Sequence, residues 1–106
     1  MMDFMNMMKQ AAGLQAKMQA LQSELETLEC EGHAGGGLVA VTLNGKGELK
    51  RVSVDPSLLK PEEKEIVEDL LIAAHAEARR KSEAVMQDKM KALTGGLPLP
   101  PGLKLF

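Results

Sequence analysis

The sequence predicts an α+β fold in the order α-β-β-β-α: a long helix, a three-stranded antiparallel sheet and a second long helix. Three observations predict it. Apolar residues recur with an unbroken seven-residue period from Phe4 to Leu28. The following stretch changes to period two and is cut by Gly35-Gly36-Gly37 and by Asn44-Gly45. From Pro61 a third stretch runs without Gly or further Pro to Thr94, acidic residues first and basic residues second. The expected organisation is one domain over 1–94 (helix 3–28, strands about 29–34, 37–43 and 48–54, helix 61–93) and an extended tail over 95–106.

In the first helix the apolar positions are Phe4, Met7, Ala11, Leu14, Met18, Leu21, Leu25 and Leu28, spaced three and four residues apart in alternation. A straight helix repeats every 3.6 residues, so a strict heptad seam holds its face only by supercoiling against another helix. That helix comes from a second copy, from later in this chain, or from both. Gly13 sits on the outward side, where it costs roughly 1 kcal/mol relative to Ala. Lys9 and Lys17 occupy the N-terminal half, whereas Glu24, Glu26, Glu29 and Glu31 crowd the C-terminal end and its exit. Acids there oppose the helix macrodipole, and helix stability gives no reason for them.

In the central stretch Cys30, Gly32 and Ala34 alternate with Glu29, Glu31 and His33, which reads as a strand with small residues on one side. The glycine triplet supplies positive φ for a turn. Val39, Val41 and Leu43 share a face, and Asn44-Gly45 is a strong hairpin signal. On the return strand Leu49 is out of phase with Val52 and Val54. Either a bulge near Lys50-Arg51 restores the register or Leu49 faces outward. Three strands this short need a cover.

Pro61 suits the first position of the second helix, and the acids of its first turns favour that end. About 33 residues of helix measure roughly 50 Å, too long to lie wholly over the sheet. Leu71, Ala74, Ala78, Ser82, Met86 and Met90 form a stripe whose small middle admits another helix closely. In the tail, Pro98, Pro100 and Pro101 exclude helix, while Leu97, Leu99, Leu103, Leu105 and Phe106 give it an apolar side that either docks or stays free.

Composition removes several functions. With two Phe and no Trp or Tyr, the chain lacks the aromatic platforms of single-strand readers. A net charge of −2 gives no global attraction to nucleic acid, so any such binding needs a local basic patch. One cysteine, Cys30, and no signal-peptide pattern fit a cytoplasmic protein. The longest apolar run, Leu70 to Ala74, is too short for a membrane span. No catalytic or metal constellation surrounds His33 or His75, and the glycine-rich segment has neither a P-loop ending nor dinucleotide spacing. Between Arg79 and Lys91 five basic residues exceed the two acids Glu83 and Asp88 by three. Glu77 with Lys81 and Arg79 with Glu83 can still make ordinary i,i+4 pairs on a solvated face.

The block from Gly32 through the glycine turn, the strand Leu38 to Leu43 and Asn44-Gly45-Lys46-Gly47 to Leu49, followed by Val52 to Leu59, resembles the central signature of the YbaB/EbfC family of bacterial nucleoid-associated proteins. The stretch Glu68 to Ala74, continuing through Ala78, Lys81 and Met86 to Met90, is similar as well, and so are the Met- and Gln-rich first helix and the Gly/Pro/Leu tail. The resemblance implies a tweezer-like homodimer, with sheets and helix bases joined and helices projecting. It implies double-stranded DNA as partner, altered DNA conformation, and roles in nucleoid organisation or gene regulation. It implies no cofactor, no catalysis, no membrane and no small-molecule substrate. The candidate DNA-binding residues are Lys9, Lys17, Arg79, Arg80, Lys81, Lys89 and Lys91, chosen because they are basic and lie on the helices the resemblance implicates. The competing expectation is a coiled-coil interaction or chaperone-like module that receives protein clients on Met-rich apolar surface.

Overall fold

A computed structural model describes residues 4–93. Helix α1 spans Phe4–Thr27. Strands β1 (Glu29–Ala34), β2 (Val39–Asn44) and β3 (Leu49–Val54) form an antiparallel sheet in the order β1-β2-β3. Two 3-10 turns, Pro56–Leu58 and Pro61–Glu63, lead into helix α2, Lys64–Leu93. This is the expected α-β-β-β-α order. Boundaries shift by one to three residues: α1 ends at Thr27, β2 runs over Val39–Asn44 and β3 starts at Leu49, while Pro61 opens a 3-10 turn and the α-helical hydrogen bonding begins at Lys64. The tail expected over 95–106 lies outside the described residues.

Helix α2 lies across β1 and β2. Ala74 and Ala78 pack with Val39, Val41, Leu43 and Leu58 in the main core, and Leu70, Leu71, Val67 and Val54 close its rim. The small middle of the α2 stripe therefore receives a strand, not the helix expected there. Gly32 of β1 makes this possible: a Cβ at that position would stand 2.0 Å from the Ala74 carbonyl oxygen and 2.5 Å from the Ala78 nitrogen. The C-terminal turns of α2 overhang the sheet, and there Met90 packs with Leu21 and Leu25 of α1, flanked by Leu28, Val85, Met86 and Leu93. The lower third of the heptad seam is thus covered by α2 of the same chain.

Asn44 fastens the three layers. Its Oδ1 accepts the backbone N–H of Lys46 (2.9 Å) and of Glu48 (3.0 Å), and its Nδ2 donates to Glu48 Oε1 (2.7 Å) and to the Glu26 carbonyl (3.5 Å). Its own carbonyl accepts Ser82 Oγ from α2 at 3.0 Å. Next to it, the Gly45 N–H donates to the Leu25 carbonyl at the end of α1 (2.7 Å). The hairpin is not a two-residue Asn-Gly turn. Asn44 stays in the strand, and the positive φ falls on Gly47, which closes a three-residue loop back to the Asn44 carbonyl.

The bulge on β3 is real. Thr42 pairs with Arg51 and Leu43 with Leu49, so Lys50 is the extra residue, and Leu49 regains the face of Val52 and Val54. That face is covered over β1 and β2 but left open over β3, where Leu49 is 57% and Val52 47% exposed.

Candidate nucleic-acid interface

Beyond its docked base, α1 projects as an arm. From Phe4 to Ala20 every residue is exposed except Met18, which is half-buried. This stretch measures about 25 Å at 1.5 Å per residue. It stays helical without tertiary cover because its residues, largely Met, Gln, Ala, Leu and Lys, are good helix formers, with Gly13 the exception. Residues 4–23 contain Lys9 and Lys17 and no carboxylate. Both lysines are exposed, and neither makes an ion pair within the described residues.

The other five candidates sit on α2 in two groups. Arg79, Arg80 and Lys81 lie on its middle turns. Arg79 Nε donates to Glu83 Oε1 at 3.0 Å, and Lys81 Nζ lies 3.4 Å from Glu77 Oε1 while donating to the Glu31 carbonyl of β1 at 2.7 Å. The hydrogen bond from Lys81 holds the Glu77 carboxyl below its ordinary range. Arg80 is exposed and takes no such partner. Lys89 and Lys91 lie on the last turns, beside the base of α1, with Lys89 bonded to Glu24. Among the seven, Lys9, Lys17 and Arg80 are the cations that internal ion pairs leave open to an external anion; Lys91 is itself engaged within the chain.

These pairings supply the reason for the acids at the α1 terminus. Glu24 ties to Lys89 of α2, Glu26 to Lys46 of the hairpin (3.2 Å), and Glu29 to Arg51 of β3. The Arg51–Glu29 contact is bidentate, at 2.8 and 2.9 Å, and reaches over β2 from one edge strand to the other. The Arg51 guanidinium holds the Glu29 carboxyl below the usual carboxylate range and is itself pushed up by it. The Asn44 amide acts likewise on Glu48. The acids therefore anchor the base of the arm and leave its free end cationic.

Sequence reasoning missed Lys46. With Gly45, Gly47, His75, Arg79, Ser82, Glu83, Met86 and Gln87 it lines an open cleft of about 420 Å³ between the hairpin and α2. The juxtaposition joins residues some forty positions apart, so no local pattern marks it. Burial pushes the Cys30 thiol above its ordinary value, with Lys81 pulling the other way, and the side chain is buried. That environment suits packing rather than a reactive thiolate. Among the described residues no group of three or more His, Cys, Asp or Glu is arranged to hold a metal. No described helix is long and apolar enough to cross a membrane.

The family model of the YbaB/EbfC DNA-binding family matches residues 1–97. The chain belongs to the YbaB/EbfC DNA-binding family. It is 64% identical over 105 residues to a nucleoid-associated protein of Rhodopseudomonas palustris (strain BisB5), covering 99% of both chains. It is 65% identical over 102 residues to a nucleoid-associated protein of Bradyrhizobium sp. (strain BTAi1 / ATCC BAA-1182), covering 96% of both. The crystal structure of uncharacterized protein HP0035 from Helicobacter pylori superimposes with a TM-score of 0.69 at 26% identity, covering 92% of this chain and 100% of that one. Membership of YbaB/EbfC makes this a bacterial nucleoid-associated DNA-binding protein.

Proposed function

We propose that the chain acts as a non-enzymatic homodimer that grips double-stranded DNA through its helices and alters the conformation of the duplex, serving nucleoid organisation or gene regulation in the cytoplasm. The observation that carries this reading is the α1 arm: uncovered, bearing Lys9 and Lys17, and free of carboxylates over residues 4–23. A cationic arm on a chain of net charge −2 concentrates attraction where the duplex would lie, while the acidic remainder repels phosphate.

The open side of the sheet supports the dimer. Strand β3 is an edge strand, its apolar Leu49 and Val52 are about half exposed, and α2 does not reach over them. A second copy laid over this side would bury those residues, protect the edge and give the molecule two arms.

Contacts of this kind hold phosphates rather than read bases, so binding tolerates many sequences. The test combines a solution mass with anisotropy titrations of two unrelated duplexes at low salt. A mass twice 11.4 kDa and binding to both duplexes, weakened alike on both by Arg80→Ala, are expected. No binding at low salt would rule the reading out. Salt-resistant co-purification of protein partners instead would favour the client-binding alternative, which draws on the same exposed methionines.

A further inference from the structure

Resting on the DNA reading above, we infer that the tip of the α1 arm is a wedge: the Phe4 side chain, backed by Met7 and Met8, enters a base step of the bound duplex from the minor groove and unstacks it. Phe4 is 72% exposed, Met8 58% and Met7 47%. Their three- and four-residue spacings put them on one side of the first two turns. Phe4 and Met7 carry the upper end of the heptad seam and Met8 flanks it, and no described element of the protomer covers the three. They give nothing to the protomer's core, whereas the lower seam residues Leu21 and Leu25 are buried.

Charge decides what covers the tip. Lys9 follows the apolar group directly, Lys17 lies two turns further down, and residues 4–23 hold no carboxylate, the flanking acids being Asp3 and Glu24. A second arm would bring the same two lysines with only Asp3 to set against them, so two arms laid together stay net positive. A duplex supplies the missing negative charge. Its minor groove displays acceptors for which Asn6 and Gln10, on the same turns, provide amide donors. Proteins that enter the minor groove combine this set of Lys, Asn and Gln with an apolar side chain, Phe or Met among them, pushed between bases, and the duplex bends toward the major groove. The wedge accounts for altered DNA conformation with named atoms: phosphate contacts from the lysines hold the arm, and Phe4 converts that grip into a kink.

The experiment uses the full chain and a duplex of about 30 base pairs, stiff because it is far shorter than the persistence length of about 150 base pairs. A donor and an acceptor dye mark its ends, and 2-aminopurine sits at a central TA step. The wild-type protein is expected to shorten the end-to-end distance and raise the 2-aminopurine signal. The double variant Phe4→Ala/Met8→Ala should lose both responses while the slope of log affinity against log salt stays at the wild-type value, because the phosphate contacts remain. Phe4→Leu keeps a wedge and should keep the kink. An unchanged kink in the double variant overturns the inference, as does wild-type binding without any bend. A double variant that changes the solution mass and not the bend would give the tip to a second copy instead. If the wild-type chain fails to bind in the parallel anisotropy measurement, the DNA reading itself falls and the wedge with it.

Discussion

Gly32 carries more of the fold than its size implies. Strand β1 and helix α2 approach until backbone meets backbone, and only a residue without a Cβ fits between them. Gly32→Ala is predicted to lower stability by about 3 kcal/mol, the upper range for overpacking, because the neighbours it meets are main-chain atoms that cannot rotate away. Gly13→Ala is the control: nothing lies within 4 Å of a Cβ there, so the change should be neutral or gain up to about 1 kcal/mol in helix propensity. Urea denaturation of both variants checks the pair, and equal effects would contradict the packing described. The two glycines also mark what a sequence tells. Gly13 is visible as a helix-interior glycine because its environment is its own helix. The role of Gly32 is not visible, because the atoms that forbid a side chain belong to Ala74 and Ala78. Asn44-Gly45 announces a hairpin, yet the positive φ falls on Gly47, because Asn44 is held in the strand by bonds from Glu48, α1 and α2 that no dipeptide rule contains.

At the scale of elements, α1 is one helix with two environments. Its seam is legible as an unbroken heptad, and the pattern predicts a facing helix without saying for how much of its length. The structure supplies α2 only as far as Leu21, because α2 must first cross the sheet and has few turns left to overhang it. The acids at the end of α1 and the start of β1 are legible only as an anomaly against the macrodipole. Their explanation, ties to Lys46, Arg51 and Lys89, needs the tertiary fold. Leu25, 2% exposed, is the apolar centre of the joint. Leu25→Ala should cost about 3 kcal/mol through the cavity it leaves, and it should free the arm before the sheet melts. Hydrogen exchange measures this directly: α1 amides should lose protection while those of β2 keep theirs. Uniform loss across both would mean that arm and sheet form one cooperative unit.

For the molecule as a whole, the sheet is a platform, α2 is its cover and strut, and α1 is a lever whose acid-tied base leaves a cationic free end. The fold class was readable from period, turn and charge order, since each is a local property. The basic residues were readable as types but not as available charges. Arg79, Lys81 and Lys89 prove to be engaged with Glu83, Glu77 and Glu24, leaving Lys9, Lys17 and Arg80 as the cations we propose to meet phosphate. The dimer is the least legible feature, because one chain shows only the uncovered half of an interface. The central claim, that DNA is held by the arms of a dimer, is tested most directly by the salt dependence of affinity for the wild type and for Lys9→Ala/Lys17→Ala. Three open cations from each protomer meeting about six phosphates predict a log–log slope of about −5, falling to about −2 in the double variant. Identical slopes for the two proteins would contradict the account.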